Sequence, residues 1–428
     1  MHALVAGLLS LVVVAVPDAQ IGGSAPAWPS FRGPDRSGVS KETGLLQSWP
    51  EEGPKLVWRT KGAGRGYASL AIADGRILTL GDGPSTAGGD ADEYLLAFNQ
   101  ADGTPLWKLK TGAPWTNGSP NWQSSRSTPT IAGDAVYVLT AHGDLVCAGV
   151  ADGKERWRKN LKTDFEGKKA DNWGYSESVL VDGDRVICTP GGEKNTLVAL
   201  DKKTGGLVWS AVRPGDRGAG HASIVISEIG GKRVYVQTTG GGALGVQASD
   251  GKLLWSYEIE KTTAVAPTPI VRGDLVFFSA GYKRGGALLK QVPGGETGVQ
   301  VEEIYPLKKE LANKHGGIVL VGDYLYGDSD DQGIPFCAEL MTGEIKWKER
   351  TSGRNSAALT AADGRIYVHS ADGTMSLVKA DAEKFEEVGT FKLPDAGERP
   401  GWMHPVVFDG KLYVREQDEI FCYDVRAK

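Results

Sequence analysis

Cysteine is scarce in this chain. There are four in 428 residues, at 147, 188, 337 and 422, with no Cys-x-x-Cys and no adjacent pair. All four sit inside apolar strand-like runs ("LVCAG", "RVICTP", "PFCAEL", "IFCYD"), so they read as buried thiols, not as a disulfide framework or metal ligands. A surplus of positive charge is also missing: the net charge is −5 and the pI about 5.8. That removes nucleic acid and anionic membrane surfaces from the expected partners. Helical periodicity is nearly absent. Its best stretch, "YPLKKELANK" (305–314), is short, which argues against an α-rich class. Long apolar runs are limited to Leu4–Val16, too short to span a bilayer and of the right length for the core of an export signal. Ala25-Pro-Ala27 supplies a small-x-small cleavage site, so residues 1–27 are expected to be a signal peptide and the mature chain periplasmic or secreted. No cysteine follows that run, so no lipid anchor on a new N-terminal cysteine is expected.

What is abundant is glycine, 59 residues, together with 21 prolines, a composition suited to many short strands and tight turns. One phrase recurs: a turn containing Gly, then an aliphatic residue and a tryptophan. It ends at Trp107 ("ADGTPLW"), Trp157 ("ADGKERW"), Trp209 ("KTGGLVW"), Trp255 ("SDGKLLW") and Trp347 ("MTGEIKW"), with a worn copy ending at Trp58 ("GPKLVW"). The spacings from Trp58 onward are 49, 50, 52, 46 and then 92, twice 46. A fixed period of this length signals stacked supersecondary units. Two copies lack the tryptophan, and Tyr305 and Phe391 stand at the equivalent places.

Three further strands precede each tryptophan strand. The first two are joined by Gly- and Asp-bearing turns such as Ala73-Asp74-Gly75, Ala132-Gly133-Asp134 and Phe408-Asp409-Gly410, where positive φ is needed; the fourth copy, "SEIGGKR", is longer. First strands are expected to begin near Ala68, Ser127, Glu177, Ala222, Pro267, Gly316, Ala357 and Met403. The eighth repeat runs out after three strands, and the missing fourth is the lone N-terminal "KLVWRT". The expectation is therefore an all-β, eight-bladed propeller of four-stranded antiparallel blades over 55–428, its last blade closed by the N-terminal strand, with 28–54 as an extended arm. Closure leaves no large open edge. Runs such as "AVYVLT" and "LVFFSA" are apolar throughout because a blade is covered on both faces, and the tryptophans are then wedges between blades.

The phrase "VALDKKTGGLVW" (198–209) resembles the repeat of pyrroloquinoline quinone (PQQ)-type propellers, Ala-x-Asp-x-x-Thr-Gly-x-x-x-Trp, and "WPSFRGPDRSG" (28–38) resembles the opening of secreted bacterial proteins that carry it. The resemblance covers essentially the whole mature chain. It implies the propeller fold. That family includes quinoprotein dehydrogenases and the non-catalytic outer-membrane β-barrel assembly lipoprotein. The dehydrogenases carry adjacent cysteines against the cofactor and a Glu, Asn and Asp set for calcium; this chain has no adjacent cysteines and shows no clear set of that kind. No cofactor is expected, PQQ with calcium being the alternative.

In a propeller the first strands line the central channel, and ligands favour its mouth. Aligning the first strands on their turns gives one ring of unlike residues: Tyr67, Arg126, Ser176, His221, Ala266, His315, Ser356 and Trp402. Glu177 and Asn355 lie in neighbouring layers, and His404 is two residues past Trp402, on the same strand face. The candidate ligand-binding set is Tyr67, Arg126, Glu177, His221, His315, Asn355, Trp402 and His404, with Trp122 and Trp173 on loops leading into adjacent first strands. No metal site is expected. Asp328–Glu339 has the outline of a calcium loop but departs from it at Gln332 and Pro335, and reads as an acidic surface loop. No Ser/His/Asp or Cys/His set is spaced for nucleophilic catalysis. The reading that follows is an exported binding or scaffold module, monomeric, whose rim and mouth take a protein or small molecule; the alternative is a PQQ-dependent oxidoreductase of alcohols or sugars.

Overall fold

The computed structural model describes residues 27–83, 92–315, 317–330, 332–397 and 399–427; the export-signal segment lies outside these but for Ala27. Strands form eight sheets; seven hold four consecutive antiparallel strands of one repeat, beginning with Ala71–Gly112 in blade 1, and the eighth holds three, within Val406–Asp424. Blade 8 is completed by Lys55–Lys61, which pairs antiparallel with Glu419–Asp424 from Lys55 opposite Asp424 to Lys61 opposite Glu419. The fourth blade carries the longer hairpin, Val225–Ile229 against Lys232–Thr239, turning on Gly230 and Gly231. Residues 305–314 are not helical. Strand Gly298–Lys308 runs through Tyr305 and only Lys309–Leu311 forms a single 3-10 turn, because Tyr305 is needed as a wedge.

Each letter of the repeated phrase has a structural reason. Asp201 Oδ1 accepts the amides of Lys203 and Thr204 and the Thr204 hydroxyl, closing the turn. Gly205 follows at φ 70°, and a Cβ there would sit 2.8 Å from the ring of Trp157 in the preceding blade. The indoles reach on into the next blade: Trp107 Nε1 donates to the Val150 carbonyl (3.0 Å), Trp157 to Lys202 (3.0 Å), Trp209 to Ala248 (3.1 Å) and Trp347 to Asp381 (2.7 Å). In blade 5 the Tyr305 hydroxyl makes the same bond to Leu340 (3.0 Å). In blade 7 Phe391 keeps only the packing, against Trp49 and Tyr423, with Gly53 beneath it. All four cysteines are buried free thiols.

Seven of the eight first strands begin about three residues later than the sequence suggests, at Ala71, Thr130, Leu180, Val225, Ile270, Val319 and Val406, whereas blade 7 begins at Ala357 as expected. The residues before them are held around the axis instead of within a sheet. The Ser69 amide donates to Thr128 Oγ1 (2.9 Å), Thr128 to Ser178 Oγ (2.9 Å), Ser178 to Ser223 Oγ (3.0 Å) and Ser223 to Thr268 Oγ1 (3.3 Å). Ser69 Oγ in turn donates to the His404 carbonyl (2.6 Å). This belt of hydroxyls satisfies amides that the short sheets leave over.

The arm crosses the far end of the channel. Trp28 exchanges both backbone bonds with Ile72, the Ile131 amide donates to Pro29, Arg36 donates to the Ser178 and Val179 carbonyls, and Arg32 donates to Ile318. Val39–Ser40 adds a parallel strand to Ala361–Ala362 of blade 7, and Leu46 bonds Val425 of blade 8.

Closure is reinforced by Arg415, on the Lys411–Glu416 strand. Its fully buried guanidinium donates to the carbonyls of Ala63, Gly64, Ala68, Leu80 and Gln417 and to Thr79 Oγ1. It ties blade 8 to blade 1 and to the segment after the closing strand. Removing it strands several buried carbonyls at about 1–3 kcal/mol each. Arg415→Met is expected to lower unfolding free energy by at least about 3 kcal/mol in urea titrations, whereas Leu207→Ala, at an exposed position on an outer strand, stays within about 0.5 kcal/mol.

Candidate functional site

The strand period of two decides which leading residues face the axis. Tyr67, Arg126, Ser176, His221, Ala266, His315 and Trp402 all line one cavity of ≈ 210 Å³ at the mouth; of the aligned ring, Ser356 does not. Two residues deeper, Ser178, Ser223 and His404 contribute the next layer. Phe31, from the arm, closes the cavity below, its ring meeting His404 edge-on at 4.9 Å. The channel is thereby a blind pocket, open at the mouth and stoppered at the opposite end.

Its walls are aromatic. Trp402 lies between Tyr67 (ring centroids 4.8 Å apart) and His315 (4.3 Å, interplanar 21°). At the rim Trp173 stacks on Tyr282 (6.4 Å, 11°), meets Trp122 edge-on (6.2 Å) and reaches His221 (6.1 Å). Cations sit among these rings: Arg126 and Arg399 lie 5.6 and 5.4 Å from the Tyr67 ring centre, and Lys314 lies 4.5 Å from that of Tyr282. Arg126 donates to the Trp173 carbonyl (3.0 Å) and to Trp122, while Arg399 donates to the Tyr67 hydroxyl (3.2 Å), Pro120 (2.8 Å) and Gln123 (3.0 Å). These bonds pin the 114–124 loop over the mouth. Among the described residues, none that lines the cavity is an aspartate or glutamate. Burial brings the Arg126 guanidinium down to about 10 and the His404 imidazole down to about 3, with Arg32 adding to the latter. Both are fixed at neutral pH, Arg126 charged and His404 neutral.

One wall carries a hydrogen-bonded chain. His221 Nδ1 lies 2.5 Å from Ser176 Oγ, and Nε2 lies 2.7 Å from Asp171 Oδ2. Asp171 Oδ1 also accepts the Trp173 amide (3.0 Å). Burial pushes the Asp171 carboxyl up, but His221 and Lys169 outweigh it and hold the group below the usual carboxylate range. Burial, then Lys169, lowers His221.

Two of the expected site residues lie elsewhere. Glu177 sits between two cavity residues in sequence, so alternation turns it away from the axis; it is buried inside the blade, accepting the Thr189 amide (2.8 Å) and Gln237 Nε2 (3.4 Å). Asn355 occupies an exposed left-handed turn at φ 64°, outside the cavity lining. The 328–339 segment is not a solvated acidic loop: Asp328 is buried and accepts Asn313 Nδ2 (2.6 Å) and the Ala357 amide (3.0 Å), while Asp330 accepts the Tyr282 and Lys283 amides (2.9 and 2.7 Å). Glu339 stands at the far end of strand Pro335–Glu339, beside Lys346. Among the described residues no cluster of His, Cys, Asp or Glu is arranged to hold a metal. Sequence reasoning missed Phe31, Asp171, Tyr282 and Arg399, which come from the arm and from loops with no repeat register. Asp171 lies two residues before Trp173, in the loop that drew attention for its tryptophan.

This is an eight-bladed propeller of the quinoprotein-like class, closed by its own N-terminal strand and stoppered by its own arm. The sequence profile of the family described as Outer membrane protein assembly factor BamB matches residues 22–167, 91–349 and 336–388, and the chain belongs to that family. BamB of Shewanella oneidensis is 25% identical over 246 residues, covering 54% of this chain and 58% of that protein. BamB of Nitrosomonas eutropha is 27% identical over 210 residues, covering 48% and 42%. The chain thus spans about half the length of the curated relatives it matches. Among solved structures, BamB from Moraxella catarrhalis superposes with TM-score 0.58 at 15% identity over 87% of this chain and 98% of that one. A europium-containing methanol dehydrogenase gives 0.58 at 13% over 91% and 89%, and a quinohemoprotein alcohol dehydrogenase from Comamonas testosteroni gives 0.59 at 12% over 95% and 81%. At these identities the likeness is one of fold, shared by an assembly factor and by dehydrogenases.

Behind the mouth wall, Glu93 is buried and accepts the hydroxyls of Ser125 and Thr111; burial, with Asp82 nearby, pushes it up to about 8. An acid whose folded pKa is raised favours the fold below its unfolded pKa and ceases to do so as pH rises through the folded value. Above pH 7, past the range where the buried Glu177 and Asp328 carboxyls, both pushed up to about 7, lose their protons, the thermal midpoint is therefore expected to keep falling to pH 8, by up to about 1.4 kcal/mol per pH unit in free energy. Glu93→Gln is expected to flatten that slope, read by calorimetry across the same range.

Proposed function

We propose that the protein is an exported, periplasmic or secreted binding module whose channel mouth captures a planar, anionic group carried by a small molecule or by a protein segment. One observation carries this reading: a blind, aromatic-walled cavity with Arg126 and Lys314, and no carboxylate, among its described lining residues. Stacking surfaces supply affinity for a flat ring, and a guanidinium and an ammonium in the lining favour an anion. The membership in the BamB family supports a binding role over a catalytic redox one. The donor chemistry at the mouth does not fit a calcium–quinone pair. Calcium needs several hard oxygen ligands, chiefly carboxylates, and the described lining residues include none, while Glu177 is committed inside its blade.

A small aromatic carboxylate tests the reading. 2-Naphthoate is expected to quench tryptophan fluorescence and raise the thermal midpoint at submillimolar to millimolar concentration, and the neutral 2-naphthamide to do so at least fivefold more weakly. Trp402→Ala and Arg126→Met should each weaken naphthoate binding about tenfold or more. Equal response to acid and amide, or none to either, would overturn the assignment.

A further inference from the structure

The hydrogen-bonded chain on the pocket wall goes beyond capture. We propose that Ser176 is a nucleophile, with His221 as its general base and Asp171 as the positioning carboxylate, and that the mouth cleaves carboxylic esters bearing an aromatic group. This rests on the reading of the mouth as a ligand pocket.

The order of groups is the order that acyl transfer needs: hydroxyl, imidazole, carboxylate, at 2.5 and 2.7 Å. An ionised Asp171 accepts from Nε2–H, so the lone pair of the neutral ring lies on Nδ1, facing the Ser176 hydroxyl. The ring uses its nitrogens in the opposite sense from many triads, which changes nothing in the proton bookkeeping. The Asp171 and His221 side chains are only 7% and 11% exposed, so their bond is little screened. The charged groups around the imidazole are Lys169 and Arg126, which oppose a second positive charge, and Asp171, which favours one. Ser176 and His221 both face the cavity, where a buried structural contact would not. Arg126, Ser176 and His221 occupy the equivalent position in blades 2, 3 and 4, so Ser176 has its base on one side and a guanidinium on the other. That guanidinium lines the same cavity, where its charge favours the negative oxygen of a tetrahedral adduct. The three members come from a loop residue, the start of blade 3 and the start of blade 4, which is why no linear motif announces them.

In the reaction, Ser176 Oγ attacks the ester carbonyl carbon and its proton passes to His221 Nδ1. The bond between the carbonyl carbon and the alcohol oxygen breaks, and the departing alkoxide takes that proton. Water then attacks the acyl-serine, giving a proton to His221 that returns to Ser176 Oγ. The sum is ester plus water to acid plus alcohol, with no redox change.

The test is a fluorophosphonate probe and 2-naphthyl acetate with the full mature chain. A phosphonyl adduct on the Ser176 peptide is expected by mass spectrometry, with naphthol release above the buffer rate. His221→Ala should slow labelling at least a hundredfold. Asp171→Asn should slow it at least tenfold and move its pH profile, which a merely structural role would not do. The wild-type rate should be level from pH 8 to 7 and fall at acid pH as His221 protonates. Should His221→Ala fail to fold, the wild-type adduct position and pH profile still decide. No adduct on Ser176 in folded wild type, or labelling with equal rate in folded His221→Ala, would overturn the proposal. Wild type that binds 2-naphthoate but takes no label removes the nucleophile and leaves the pocket standing; label without naphthoate binding does the reverse.

Discussion

Seven residues from the N-terminal part of the chain, Lys55–Lys61, hold the ring shut by pairing with Glu419–Asp424. Without that pairing blade 8 would present an open three-stranded edge and blade 1 an uncovered face. Side chains secure the joint from both directions. Arg59 makes a two-pronged bond to Glu419 (2.9 and 2.7 Å), and Arg415 gathers the carbonyls that flank the seam. The position of every other blade, and hence of every residue on the axis, depends on this joint. The mouth is assembled from residues of several blades, and Trp402 reaches past blade 7 to stack on His315, so a gap in the ring would relax the distances among Tyr67, Trp402 and His315.

Most of the scaffold could be read from the chain because the repeat is written in residues with one physical job each. Glycine beneath the preceding tryptophan, aspartate closing its own turn, and tyrosine standing in where tryptophan is missing are local devices that survive without context. The first-strand alignment worked for Arg126, Ser176, His221 and Trp402 because it counted back from turns of known geometry. It broke where counting cannot tell inside from outside. Glu177 is one residue from two cavity residues and points the other way, while blade 7 enters its strand earlier than the rest and swings Asn355 to the surface. What remained invisible had no register at all. Phe31 reaches the pocket floor from a segment without periodicity, and Arg399 reaches Tyr67 across 332 positions of sequence.

The mouth combines two kinds of order. The hydroxyl belt from Ser69 to Thr268 is nearly repetitive and serves the scaffold. The layer above it is not repetitive: tyrosine, arginine, serine, histidine, alanine and histidine follow one another from blade 1 to blade 6, and tryptophan stands at blade 8. Residues that merely pack between equivalent blades would be alike. Dissimilarity at equivalent positions is what an asymmetric ligand demands, and the same dissimilarity lets an imidazole meet a hydroxyl on one side and a carboxylate on the other.

The seam has a bearing on how the molecule comes to exist. The strand that leaves the ribosome early finds its partner only when residue 424 has been made, so ring completion joins segments far apart in sequence and carries a correspondingly high closure entropy. No prefix of the polypeptide can finish the circle. On the proposal that the chain is exported, that delay has a use: the chain travels unlocked, and the latch is delivered last.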